Sequence, residues 1–249
     1  MGWAMTTPRG RFITFEGGEG MGKSTQARRL AEVLREQGLS VVETREPGGA
    51  EGAERLRNVL LEAPAECWDS ISEALIVSAA RRNHLRHTIR PALDKGAWVV
   101  CDRFVDSTTA YQGHGHGVDL ENLEYLYDLA AGPFGPDLTL ILNMDPDEGL
   151  ARARSRGVVT RFEILDRDFH HRVNLGFLAI ARREPERCVL VDADGDEDTV
   201  AARVLSVVRE RMRSWALDAE VVEGRASEED AADGAGQGND GRQPVEGLD

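Results

Sequence analysis

No stretch of about eighteen consecutive apolar residues occurs in the chain, so the sequence offers no candidate for a membrane-spanning helix. Cysteine is scarce. Cys67, Cys101 and Cys188 lie far apart and form no C-x-x-C pair, which argues against a structural zinc site and a disulfide framework and leaves three reduced thiols. An excess of positive charge is also missing. With 30 Lys and Arg against 44 Asp and Glu, the net charge of −14 excludes the broad basic surface that a nucleic-acid partner needs, although a few local cations can still hold a small nucleotide. The opening MGWAMTTPRGR lacks the apolar segment of a secretory signal, and a cytoplasmic protein with no membrane partner is expected.

Apolar residues make up 41% of the 249, enough for a sizeable core. The acidic excess is concentrated at one end: from Asp218 to Asp249 there are ten acidic residues against two arginines. That segment is rich in Ala, Gly, Glu and Asp and cannot bury enough surface to offset its chain entropy. A folded unit over residues 11–215 is expected, with a flexible N-terminus at 1–10 and a disordered acidic tail at 216–249.

Five short apolar runs read as buried strands: Arg11–Phe15, Ser40–Thr44, Ala97–Cys101, Leu138–Asn143 and Cys188–Asp192. Helical spacing fills the intervals, as in Ser24–Gln37 and Glu73–Asp94, and Gly38 and Gly96 stand where those helices should stop. Strands alternating with helices predict a central parallel sheet with helices on both faces, a three-layer sandwich. Ligands in such sheets sit beyond the carboxyl ends of the strands, which directs attention to Glu16–Ser24, Arg45–Gly49, Asp102–Gln112 and Asn143–Asp145.

The first of these is Gly17-x-x-x-x-Gly22-Lys23-Ser24, between a strand and a helix. Its glycines let the backbone N–H groups wrap phosphate, Lys23 reaches the outer phosphates, and the Ser24 hydroxyl can ligate Mg²⁺. The loop by itself specifies an ATP or GTP site and does not name an acceptor. It also contains a carboxylate, Glu19, which is an unexpected neighbour for anions.

The third segment begins Asp102-Arg103-Phe104, an acid able to support Mg²⁺ and a cation able to bridge two phosphates, or else a plain surface ion pair. Arg45-Glu-Pro-Gly-Gly49 suits a rigid pocket wall, or an ordinary loop. Arg81, within the long helix, can aim a planar fork of donors into a pocket or stay solvated; Arg82, Arg86 and Arg90 read as surface. Arg152, Arg154, Arg156 and Arg161 could form a mobile cationic cover or a charged helix face. Gly113-His-Gly-His-Gly117 fits a flexible loop better than a metal tract, and His170-His171 fits a helix surface.

Taken in order, FEGGEGMGKSTQ, TREPGG, AAR, DRF and STTAYQG resemble the thymidylate kinases, which phosphorylate dTMP to dTDP with ATP, over about residues 11–212. The resemblance implies a P-loop kinase fold, ATP with Mg²⁺, and a homodimer. It also implies residue roles. Gly17, Gly18, Glu19, Gly20, Met21, Gly22, Lys23, Ser24 and Thr25 would hold ATP, with Ser24 and Asp102 near the metal. Arg103 would hold the acceptor phosphate. Pro47, Val77, Arg81, Thr108, Thr109, Tyr111 and Gln112 would line the dTMP site, and Glu19 would turn to the sugar 3′-hydroxyl. Members differ in whether a catalytic arginine sits in the phosphate loop or in a lid; Gly20 here points to the lid at about 150–163, with Arg156 at the transferring phosphate and Arg152 nearer the adenine. Val77 departs from the stacking phenylalanine usual at its position, Asn143 from an Asp and Thr160 from an acid. The first of these keeps open a related kinase for another nucleotide or nucleoside, and a non-catalytic nucleotide-binding module is a further alternative.

Overall fold

A computed structural model of the chain describes residues 10–64, 66–155, 157 and 161–235, the side chains of 218–235 excepted. Its centre is a five-stranded, all-parallel sheet in the order β2-β3-β1-β4-β5, formed by β1 (Phe12–Glu16), β2 (Val41–Arg45), β3 (Trp98–Asp102), β4 (Leu138–Asn143) and β5 (Cys188–Asp192). The expected strands are all there, but the first three each run one residue further than expected. The parallel ladder accounts for this: Phe15 pairs with Asp102, Glu16 with Ile141 and Arg45 with Asp102, so the polar residues at the strand ends are held in register. Chain order reverses around β1, which opens a crevice at the carboxyl ends of β1 and β3.

Alternate residues of β1 feed the two faces. Ile13 and Phe15 pack with Leu30 and Leu34 of α1 (Lys23–Glu36) and with Val204, Val208 and Trp215 of the last helix. Phe12 packs with Val99, Cys101 and Phe104 and with Leu85 and Ile89 on the opposite face. Full burial of side chains of this size contributes about 1.5–3 kcal/mol each. Gly38 and Gly96 adopt φ of 85° and 75° just past two helices, as the sequence suggests.

The long helix expected at Glu73–Asp94 is three joined pieces: α3 (Ser70–His84), a π-helical turn (Leu85–Ile89) and α4 (Arg90–Asp94). It starts earlier because the Asp69 side chain caps it by accepting from the Ser72 N–H at 2.7 Å. Ahead of it lies α2 (Glu51–Glu62). The DRF segment leads into α5 (Val105–Thr108) and a π-helical stretch (Thr109–Gly115), followed by α6 (Leu120–Ala131), α7 (Pro146–Ser155), α8 (Arg167–Arg183) and α9 (Glu197–Ala235).

Three expectations are corrected. Arg90, expected at the surface, is half-buried and donates to the Ala131 carbonyl; Arg82 is exposed as expected and donates to the Ala130 carbonyl, so the two satisfy the C-terminus of α6. The Gly113–Gly117 tract is largely π-helical rather than a flexible loop, with His116 against the Phe169 ring at 4.6 Å. No group of three potential metal ligands occurs among the described residues. His170 is buried rather than on a helix surface, because α8 turns it inward beside Phe169.

At the chain end, α9 continues to Ala235, where disorder was expected from 216. Its Ala- and Glu-rich continuation has high helix propensity even though Trp215, edge-on to Trp98 at 5.9 Å, is the last side chain described as buried. Residues 1–9 and 236–249 lie outside the described residues. No helix among the described residues is long and apolar enough to cross a membrane.

Candidate active site

The loop between β1 and α1 rises from the crevice. Gly17 has φ 132°, and a β-carbon there would lie 2.4 Å from the Leu142 carbonyl oxygen, so the backbone must be bare to leave the sheet at this point. Gly20 is tighter: its β-carbon would lie 1.8 Å from the carbonyl oxygen of Gly149 on α7. Met21 sends its side chain into the core, which leaves only its backbone to face a ligand. Gly22 caps α1 at φ 84°.

Lys23 is buried and donates to the Gly18 carbonyl at 2.6 Å, across its own loop. Burial, then the nearby Arg103 charge, pulls its ammonium down to about 8, against the opposing pull of Glu19 and Asp102. The Ser24 hydroxyl donates to Asp102 Oδ2, while Asp102 Oδ1 is buried and has no hydrogen-bond partner. A hydroxyl, a carboxylate and one orphaned carboxylate oxygen fit Mg²⁺, a hard cation that takes few protein ligands and keeps waters and phosphates for the rest.

Arg103 is the hub. It is the one described non-glycine residue with positive φ, 70°, a conformation that costs on the order of 1–3 kcal/mol. Its own N–H donates to the Phe15 carbonyl at 2.9 Å, which fixes the turn and throws the side chain back over the loop. The guanidinium then donates to the Gly17 carbonyl at 3.2 Å, Ser107 Oγ at 3.0 Å, Glu19 Oε1 at 3.0 Å and the Tyr111 hydroxyl at 3.1 Å. Glu16 supports the turn from below: it accepts from the Phe104 N–H at 2.7 Å and from Ser107 Oγ at 2.5 Å. Burial and the neighbouring Asp106 push Glu16 up to about 8, only partly opposed by Ser107 and Arg103.

Glu19 thus points away from the phosphate-wrapping amides. Its Oε1 also accepts from the Tyr111 hydroxyl at 2.9 Å. Burial alone would raise its pKa, but Arg103, Lys23 and Tyr111 together pull it down to about 2, so it is a carboxylate at neutral pH.

Two cavities meet here. The first is lined by Gly20, Gly22, Lys23, Ser24, Thr25, Arg45, Asp102 and Glu163. The second is lined by Pro47, Leu60, Leu61, Val77, Phe104, Ser107, Thr108, Tyr111, Gln112 and Phe162, with Arg81. Glu19, Glu46, Arg57 and Arg103 line both and form the wall between them. Arg81 is almost completely buried. It donates Nε to Glu46 at 2.8 Å and Nη2 to Thr108 Oγ1 at 3.0 Å, and it lies over the Phe104 ring at 5.0 Å. Glu46 also meets His84 Nδ1 at 3.1 Å. The Glu46–Pro47 peptide is cis.

Of the residues expected to line an acceptor site, the structure brings together Glu19, Pro47, Val77, Arg81, Arg103, Thr108, Tyr111 and Gln112. It does not include Thr109. The segment is helical, so residues 108, 111 and 112 share one face and Thr109 turns with Val105 and Asp106 to a different cleft. Arg152 is exposed on α7, outside the residues that line either cavity, while Arg154 donates to the Glu163 carbonyl at 2.9 Å. Arg156 and Thr160 lie outside the described residues.

Sequence reasoning missed Arg57, Phe104, Ser107 and Phe162 as lining residues, and it quoted Glu46 only as part of a loop. For Arg57 a signal existed: Ala53, Arg57 and Leu60 fall on the buried stripe of α2, and a cation on an apolar stripe needs a reason. Burial lowers its pKa, and it donates to the Pro47 carbonyl at 2.8 Å.

Known proteins resemble this chain in sequence and in fold. The family model described as thymidylate kinase matches residues 15–204. Thymidylate kinase of Caulobacter vibrioides is 49% identical over 204 residues, which cover 82% of this chain and 98% of that protein. The one from Rhizorhabdus wittichii is 48% identical over 201 residues, 80% of this chain and 97% of that protein. The crystal structure of thymidylate kinase from Ehrlichia chaffeensis superposes with a TM-score of 0.66 at 39% identity, covering 81% of this chain and 99% of its own.

Proposed function

The chain belongs to the thymidylate kinase family and phosphorylates dTMP to dTDP, and from that premise we propose that its donor is ATP with Mg²⁺, bound at Gly17–Thr25, with dTMP in the adjoining cavity. The observation that supports this division of labour is the shared wall. Glu19, Glu46, Arg57 and Arg103 line both cavities, so a phosphate entering from either side meets the same two arginines.

In this reading the bare loop amides and Lys23 cradle the β and γ phosphates. Bound at Ser24 and Asp102, Mg²⁺ would neutralise phosphate charge and orient the chain. Arg103 holds the dTMP phosphate so that one of its oxygens bonds to the γ phosphorus as the bond to the β-bridging oxygen breaks and ADP leaves. Nothing covalent is asked of the protein: the work is positioning and charge neutralisation. Arg103 is already anchored by four acceptors, so little ordering remains when substrate arrives. Arg81 and Gln112 supply the polar edge for the base, and Tyr111, wedged between Glu19 and Arg103, crowds the sugar position where a ribose would carry a 2′-hydroxyl. Arg156 is assigned to the transferring phosphate, and Arg152 to the adenine side.

The reaction belongs in the cytoplasm, in keeping with three free thiols, two of them buried. Two copies pair through α3 and α6, whose exposed Ile71, Leu75, Tyr125 and Leu129 recur at four-residue spacing on two packed helices. Leu75→Asp should give a monomer by sedimentation equilibrium; a dimer that survives both Leu75→Asp and Leu129→Asp overturns this face.

A coupled assay offering dTMP, dUMP, dCMP and dGMP with ATP, with and without EDTA, tests the whole reading. Preferred, EDTA-sensitive turnover of dTMP is expected. Full activity in EDTA, or with a donor other than ATP alone, overturns the donor assignment.

A further inference from the structure

The wall that α2 and α3 give the acceptor cavity is aliphatic on its apolar part: Leu60, Leu61 and Val77. A planar base gains most from a flat aromatic face, and Val77 cannot offer one. Three aromatic residues line the cavity. A guanidinium lies over each of them: Arg81 over Phe104 at 5.0 Å, Arg103 over Tyr111 at 4.9 Å and Arg161 over Phe162 at 5.7 Å. Phe104 and Tyr111 are buried as well, whereas Phe162 is only partly buried and so keeps ring surface for a ligand. The third, Phe162, stands edge-on to Tyr111 at 5.6 Å with the rings at 83°.

Phe162 belongs to neither the sheet nor the long helix. It lies in the segment that returns from α7, and its neighbours are tied down on both sides. Arg161 spans two helices, donating Nη1 to the Leu60 carbonyl at 2.9 Å and Nη2 to Glu73 Oε1 at 2.6 Å. The other oxygen of the buried Glu73 accepts from Gln112 Nε2 at 3.2 Å, and Gln112 itself lines the cavity. On the far side, Arg154 holds the Glu163 carbonyl. One carboxylate therefore sets the ring-bearing segment and a polar wall residue together.

We propose that Phe162 is the aromatic wall of the dTMP cavity and determines acceptor affinity, and that Arg161 is a positioning residue that sets it through Glu73. The inference rests on the acceptor reading above and adds to it the residue that supplies the flat face. It also joins the acceptor cavity to the arginine-bearing stretch from which Phe162 descends.

The test varies dTMP and ATP separately for wild type, Phe162→Leu, Phe162→Tyr, Val77→Phe, Arg161→Lys and the doubles Phe162→Leu/Val77→Phe and Phe162→Leu/Arg161→Lys. Phe162→Leu should raise KM for dTMP roughly tenfold, as expected for a lost base–aromatic contact, with KM for ATP within about twofold of wild type. Phe162→Tyr keeps the ring and should keep wild-type KM for dTMP, which guards against a simple folding defect. Val77→Phe should restore most of the loss in the Phe162→Leu background. Arg161→Lys should raise KM for dTMP and add little to Phe162→Leu, since both remove the same wall. Unchanged KM for dTMP in Phe162→Leu, or equal shifts for both substrates, overturns the wall; additive effects of Arg161→Lys and Phe162→Leu overturn the positioning. Wild-type turnover of dTMP in the same plates tells either failure apart from failure of the acceptor reading.

Discussion

The two cavities share a wall but are built on opposite plans. The cavity proposed for the donor takes half of its lining from one contiguous stretch, Glu19–Thr25, where glycines without side chains leave the backbone open to a ligand. The cavity proposed for the acceptor is assembled from α2, α3, the Glu46–Pro47 turn, the α5 region and the segment after α7, and is ordered by buried ion pairs such as Glu46–Arg81 and Glu73–Arg161. A site made of local backbone tolerates little change but needs few partners. A site made of distant side chains stands only if its internal charges are matched.

Lys23→Met attacks the one side chain the donor plan cannot spare, and kcat/KM should fall by about a thousandfold or more with unchanged far-UV circular dichroism. Retention of even a tenth of the activity would mean that the loop amides suffice without the cation. Glu46→Gln attacks the acceptor plan, leaving Arg81 buried without its counter-ion: urea unfolding should show a loss of about 3 kcal/mol. Stability unchanged within error would show that the pair is not what orders that wall.

Glu19→Ala probes the shared wall, and turnover of dTMP should drop about tenfold while ATP affinity by equilibrium titration holds. Equal loss of both would return Glu19 to the donor loop proper. The smallest effect is in pH. Lys23 is charged below about 8 and loses its proton as pH rises through that value, so kcat/KM for ATP should be halved near pH 8 and fall tenfold per unit beyond. Lys23→Arg keeps its charge there, and its profile, however low, should stay flat across the same range.

The same contrast explains how much could be read from the chain. The phosphate loop was legible because strand, glycines, lysine and helix are neighbours in sequence, and their order carries the geometry. Asp102 and Arg103 were legible as residues at a strand end. Arg103's strained turn was not, because it depends on Glu16 and Phe15 from another strand. Thr109 was grouped with Thr108 by adjacency, whereas the helical period of Val105–Gly115 separates them by face. Arg57, Phe162 and the inward turn of His170 depend on packing between elements distant in the chain, as does Arg81, whose partner Glu46 is 35 residues away. The extent of the last helix was not legible for a different reason: low hydrophobicity speaks to packing, whereas the helix bounds follow intrinsic propensity as well.

The fit between Gly20 and Gly149 also sets what the loop can carry. With a β-carbon at position 20 only 1.8 Å from a backbone oxygen, and one at Gly149 only 2.6 Å from the Glu19 carbonyl, the loop and α7 are notched into each other. Any side chain at position 20, an arginine included, requires α7 to be displaced as well. Two missing side chains thus decide how closely a helix can approach the loop.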